Sequence, residues 1–183
     1  MWVIPLVVRG LSVRVNNPNT SDPLVLVHAK ALLTSTPEGV TDYVHADMHD
    51  PGGILAAAGR TLDFGQPVAV TMLGVLWHVL DNDEAYAITG QLMRALPSGS
   101  YLAIEHPTLE VTGEKMAAAI AYWNQHGTPP GRHRTPAELA GFFDGMEIVE
   151  PGVVSITRWR PEATPSGDPP EALDAYAAVG RKP

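Results

Sequence analysis

Pro67-Val-Ala-Val-Thr-Met-Leu-Gly-Val-Leu76 is a nearly unbroken apolar run rich in β-branched residues. A strand covered on both faces reads this way, because neither side has to present polar groups to water. The surrounding chain alternates helix and strand signals. Upstream, Asp50-Pro51 is a helix N-cap followed by proline at the first helical position, opening a short helix through Ala58 with Gly59 as its terminator. Tyr43-Val-His-Ala46 before it reads as a short strand. Further back, Asp22-Pro23 repeats the cap signal, Leu24, Val27, His28, Ala31 and Leu32 recur at helical spacing, and Pro37-Glu-Gly39 closes the unit.

Downstream, Asp81-Asn-Asp83 opens a helix whose inward stripe is predicted as Ala85, Ile88, Leu92, Ala95 and Leu96. Pro97-Ser-Gly-Ser100 is a turn, and Tyr101-Leu-Ala-Ile104 is a second buried strand. A helix is predicted over 114–125, and Thr135-Pro-Ala-Glu138 is a capping box that opens a short helix through Phe143, ended by Gly145. Trp123, Phe142 and Phe143 read as core. Segments 146–149 and 153–159 are strand-like, 161–172 is a Pro-rich surface loop, and 175–180 is a last strand. Alternation over 15–145 predicts right-handed crossovers and a mostly parallel α/β sheet, closed by a C-terminal antiparallel strand pair.

The front of the chain departs from that scheme. The apolar runs at 3–8 and 11–15 are separated only by Arg9-Gly10, whereas parallel neighbours need a crossover of about a dozen residues or more. Either the two runs form a hairpin, or they replace a strand–turn–helix unit. The 183 residues are therefore read as one domain with an atypical segment at 1–20.

Composition narrows the class. Hydrophobic residues are 45% and charged residues 17%, the balance of a folded domain. A net charge of −8 argues against a nucleic-acid or membrane surface. The basic residues near the end, Arg132, Arg134, Arg158, Arg160, Arg181 and Lys182, alternate with acids and read as ordinary surface. Without cysteine there is no disulfide framework, zinc–thiolate site or thiol nucleophile. The run at 1–8 lacks the basic region and cleavage site of a signal peptide, and no apolar stretch nears the ~20 residues of a membrane helix. A cytoplasmic protein is the expectation, with its oligomeric state open.

Three further stretches carry a family likeness. Asp22-Pro-Leu-Val-Leu-Val-His-Ala-Lys-Ala-Leu-Leu-Thr-Ser-Thr-Pro-Glu-Gly39, Tyr43-Val-His-Ala-Asp-Met-His-Asp-Pro51 and Leu96-Pro-Ser-Gly-Ser-Tyr-Leu-Ala-Ile-Glu-His106 resemble the S-adenosyl methyltransferase family once catalogued as a domain of unknown function. The likeness takes in 67–78, Phe142-Phe-Asp-Gly145, Val149-Glu-Pro-Gly152 and Val179-Gly-Arg-Lys-Pro183, and spans about residues 20–183. It implies a Rossmann-like class I methyltransferase sheet of seven strands with the last pair antiparallel, and S-adenosylmethionine as cofactor. It also implies a strand and Gly-rich turn at the front, and an acid ending the second strand. No G-x-G precedes Asp22, and the acid's place falls on Thr20 or, if 18–21 is an insertion, on Asn16. Both departures lie in one place, as expected of an N-terminally incomplete or misread chain.

The resemblance implies that Asp47, at the end of the third family strand, accepts the adenine amino group while the Met48 backbone contacts the ring; otherwise Asp47 caps its loop. Leu73 and Gly74 would give the adenine a flat backbone approach; a glycine making room for a helix is the plainer account. His78 is the candidate base or substrate wall, set against a packing histidine. Glu105-His106 would line the substrate side. A rival reading takes His45, Asp47 and His49, which share a strand face, as ligands for zinc or manganese in a hydrolase. The expected function is thus an S-adenosylmethionine-dependent methyltransferase with an unidentified acceptor, expected to be a small molecule. The alternatives are a non-catalytic remnant or interaction domain, and the metal-dependent hydrolase.

Overall fold

A computed structural model describes residues 3–8, 11–16, 39–162 and 168–183, the first two segments and His45 by backbone alone. The helix expected from Asp22 and the position of Thr20 lie outside the described residues.

Local chemistry sets the helices. Helix α1 (Pro51–Ala58) is capped by Asp50, whose carboxylate accepts from the Gly53 N–H at 2.9 Å, and Gly59 ends it. Helix α2 (Asn82–Arg94) is capped by Asp81, which accepts from the Glu84 N–H at 2.8 Å. Helix α3 spans Glu114–His126. Helix α4 (Pro136–Gly141) carries the full capping box, with Thr135 and Glu138 satisfying one another's backbone N–H groups. It stops at Gly141, short of the expected Phe143, which instead turns its ring into the core with Phe142.

Strands β1 (Val3–Val8), β2 (Leu11–Asn16), β3 (Thr41–His45), β4 (Ala69–Leu73), β5 (Tyr101–Pro107), β6 (Glu147–Ile148), β7 (Val154–Ser155) and β8 (Ala175–Arg181) build one sheet. Its order is β3-β2-β1-β4-β5-β8-β6, with β7 also on β8. β3 is parallel to β2 and β5 to β4, while β8 is antiparallel to β5, β6 and β7. The two apolar runs at the front form the hairpin, paired from Val3↔Asn16 to Val8↔Leu11. β1 then lies antiparallel on β4 (Leu6↔Val70, Val7↔Ala69), so β1 and β8 run against the other strands.

One face of the sheet carries the core. Val70, Met72, Leu102, Ile104 and Ala178 are buried with Ile54 and Ala58 of α1, Ala85, Ile88 and Leu92 of α2, Leu139 of α4, and Phe142 and Phe143. Each fully buried aliphatic chain contributes about 1.5–3 kcal/mol relative to exposure. The opposite face is less buried than the sequence predicts: among the described residues Leu73 is 55% exposed, Tyr101 is exposed, and Thr71, Ala103, Ala177 and Val179 are half-buried.

Three more expectations are corrected. Ala95 leaves the inward stripe of α2 and is exposed, its place taken by Thr89 and Met93. Trp123 is 37% exposed on α3, whose buried residue is Ile120. Arg134 is not surface at all but fully buried, and the Lys182 ammonium donates to the Met93 and Leu96 carbonyls at the end of α2. Among the described residues no helix is long and apolar enough to cross a membrane.

Candidate functional site

Strands β2, β3, β4 and β5 all end at the same sheet edge, the side on which open α/β sheets bind ligands. Two residues past β3, the Asp47 carboxylate accepts from the His49 N–H at 3.0 Å, and its carbonyl accepts from the Asp50 N–H at 3.0 Å. Asp47 therefore shapes the turn leading into α1 while remaining half-exposed at the edge. The Met48 side chain is buried, which leaves its backbone as the part able to meet a ligand.

β4 ends at exposed Leu73, and Gly74 follows with φ +62°. A side chain at Gly74 would meet only the Glu105 Oε2, at 3.5 Å. The backbone conformation, not a crowding helix, is what asks for glycine here. Glu105 comes from β5, beside Leu73 in register. Partial burial pushes its carboxyl pKa up, opposed by a hydrogen bond from Gly74.

The chain then turns through a single 3-10 turn at Leu76–His78. His78 is not open at the mouth of the edge as expected. Its Nδ1 lies 2.7 Å from the Pro130 carbonyl, the Trp77 ring meets it at 4.4 Å, and burial lowers its pKa. Trp77 in turn packs on Trp123 at 5.5 Å, and Trp123 donates from Nε1 to the Pro129 carbonyl at 2.9 Å. Segment 129–134 thus closes over the turn.

Arg134 is the anchor of that closure. Its guanidinium donates to the Leu76 carbonyl (2.9 Å), the Val79 carbonyl (2.7 Å) and Asn82 Oδ1 (2.8 Å), and to His106 Nε2 at 2.7 Å. A cation at Nε2 requires a lone pair there, so His106 is neutral with its proton on Nδ1, facing the Pro107 carbonyl at 3.0 Å. Burial, then the neighbouring cation, lowers the His106 pKa to about 4. No spacing signal marks this hub; the Arg132-His-Arg134 stretch between Pro129-Pro130-Gly131 and the capping box is the sole cue in the sequence.

The metal reading gains no geometry. His49 Nδ1 turns to Glu84 at 2.9 Å, the His45 side chain lies outside the description, and among the described residues no three ligand-type side chains converge. For the ribose position, Thr20 is outside the described residues and Asn16 is where β2 ends, opposite His45 of β3. Strand β1 occupies the switch point between β2 and β4 but runs backwards, so its entry residue Val3, rather than a strand end and turn, stands at the ligand edge.

The S-adenosyl methyltransferase family model matches residues 14–183. The chain belongs to the S-adenosyl methyltransferase family. No curated protein matches it. A solved protein of the family of unknown function DUF574 from Streptomyces avermitilis is 42% identical with a TM-score of 0.82, over 93% of this chain and 64% of that one. A candidate methyltransferase from Thermobifida fusca is 34% identical with a TM-score of 0.76, over 93% of this chain and 62% of that one. An S-adenosylmethionine-dependent methyltransferase from Methanosarcina mazei shares the fold at 13% identity, with a TM-score of 0.56, 93% of this chain and 82% of that one covered. This S-adenosyl methyltransferase family member therefore spans less than two thirds of the length of its two more similar relatives.

Proposed function

We propose that the chain forms the adenine side of an S-adenosylmethionine-dependent methyltransferase acting on a small-molecule acceptor. The carrying observation is the placement of Asp47, Leu73 and Gly74 along one sheet edge in a chain matched by the family model from residue 14 to 183. The ground beside Gly74 is open to a flat ring, since a Cβ there would meet only the tip of Glu105. Asp47 would accept from the adenine amino group, with the Met48 backbone and the Leu73 side chain against the ring. The bound cofactor supplies a methyl group on a sulfonium, and transfer then depends chiefly on holding donor and acceptor in line. His78, packed under Pro130, need not act as a base.

A second reading, a domain that keeps the sheet without binding cofactor, is favoured by the reversed β1 at the switch point. Calorimetric titration of the chain with S-adenosylhomocysteine separates the two. Measurable binding that weakens by about 1–3 kcal/mol in Asp47→Ala, through loss of a charge-assisted hydrogen bond, supports the enzyme reading. Heat-silent titration across the accessible concentration range supports the other. If Asp47→Ala lowers stability but not affinity, Asp47 is a turn former only.

A further inference from the structure

The strand ends opposite the ligand edge carry a cavity of their own. Helix α2 finishes there at Arg94, and Lys182 follows the last residue of β8, which pairs with Tyr101 at the start of β5. Between α2 and the turn after α4 lies a space of about 180 Å³. An apolar cavity of about 150 Å³ accepts benzene, so this one takes a ligand of that order of size.

Three kinds of chemistry line it. Met93 and Phe142, both buried, and half-buried Met146 supply apolar surface. Arg94 and Lys182 bring positive charge, and Asp144 brings negative charge. The Lys182 ammonium is already engaged with the Met93 and Leu96 carbonyls. Arg94 and Asp144 are not engaged: among the described residues neither joins an ion pair, with the other or with a third group. The Arg94 guanidinium lies back along α2 over the cavity wall, since a Cβ on Gly90, itself a lining residue, would stand 3.1 Å from its Nη1. On the other side Gly145 follows Asp144 at φ +72°, and a Cβ there would meet nothing within 4 Å, so this wall is unobstructed.

We propose that this cavity is a binding site for a small zwitterion with an apolar body, of which an apolar α-amino acid is the simplest case. A plain anion would gain from Arg94 and Lys182 but face Asp144, and a plain cation would meet the reverse. A zwitterion sets its carboxylate against the guanidinium and its ammonium against Asp144, so neither charge is left unanswered. The planar fork of Arg94 presents parallel N–H donors that match a carboxylate. The aliphatic body then lies on Met93, Phe142 and Met146, and the flexible thioether chains adapt to a branched apolar group. The site stands at the far end of the strands from Asp47, Leu73 and Gly74, and the proposal does not rest on cofactor binding.

Backbone-amide NMR of the chain titrated with L-leucine tests it. Saturable shifts are expected at Gly90, Arg94, Gly145 and Lys182. Isocaproate lacks the ammonium, L-leucinamide lacks the carboxylate and glycine lacks the apolar body; each is expected to bind several-fold more weakly. Arg94→Gln is expected to weaken leucine about tenfold and Arg94→Lys to restore part of the loss, whereas Asp144→Asn costs several-fold and reduces the sensitivity to salt. Both side chains are exposed, so these variants are expected to melt as the parent does. Absence of saturable shifts overturns the proposal, as does leucine binding that Arg94→Gln leaves intact. Isocaproate binding as tightly as leucine overturns it too, because Asp144 then recognises nothing. Shifts confined to Leu73, Gly74 and Glu105 overturn it by assigning leucine to the opposite sheet edge.

Discussion

Replacing Arg134 by methionine keeps most of the side-chain volume and removes every donor. The structure gives the size of the effect. The guanidinium is fully buried and serves the Leu76 and Val79 carbonyls and His106 Nε2, acceptors that no water reaches. Each buried acceptor left without a donor costs roughly 1–3 kcal/mol, so three set an upper bound near 9. Against this, no carboxylate among the described residues pairs with Arg134, and burial pushes its pKa down to about 10; it stays charged at neutral pH, and removing that charge offsets part of the loss. A net destabilisation of about 3–5 kcal/mol is expected, as for other one-sided deletions in buried polar networks. Urea denaturation followed by tryptophan fluorescence measures it, since Trp77 lies on the turn that Arg134 holds. Total stability of a domain this size is about 5–15 kcal/mol, so the variant should still fold at low temperature. A loss under about 1 kcal/mol refutes the reasoning. So does an unchanged His106 titration by ring-nitrogen NMR, because the cation that helps depress its pKa has gone.

The His106 pKa is lowered from 6.5 to about 4, so the unfolded chain binds a proton that the folded one refuses between those values. Stability is full above about pH 6.5 and falls as pH drops towards 4, by about 3 kcal/mol in all, a slope that pH-dependent urea midpoints will show and that His106→Gln should flatten. Asp50→Ala removes the cap on Gly53 and should cost about 0.5–2 kcal/mol by thermal melting, with S-adenosylhomocysteine binding unchanged. Gly74→Ala forces a side chain into φ +62° and should cost about 1–2 kcal/mol, though the space around it is free; a neutral outcome would mean the turn relaxes.

Features set by neighbours in sequence were legible. The caps at Asp50, Asp81 and Thr135 are hydrogen bonds within three residues, so spacing alone reveals them. The two-residue gap at Arg9-Gly10 likewise ruled out a parallel crossover and made the hairpin one of two alternatives, the one the structure shows. What depends on distant partners was hidden. Ala95 continues the helical stripe of α2 but lies beyond the helix's last turn, where the stripe no longer faces the sheet. Trp123 has core chemistry, yet it stays partly exposed, packed on Trp77 and the segment after α3, while Ile120 is the buried residue of the helix. Arg134 looked like solvated charge because its acceptors are carbonyls and an imidazole contributed by segments 28–58 residues away in sequence. For the site, the edge positions of Asp47, Leu73 and Gly74 followed from strand ends, whereas the burial of His78 beneath Pro130 required the fold of 129–134.

The backward strand β1 also decides how the sheet comes apart. It is the single strand joining the β2–β3 pair to β4, and it meets β4 over two residue pairs, against six with β2 and seven between β5 and β8. Regions with the fewest ladder bonds open at the lowest free energy, often as whole units. Amide exchange should therefore divide the protein along the β1–β4 seam: β4, β5 and β8 exchange only with global unfolding, while β1, β2 and β3 exchange together and earlier, as one three-stranded unit.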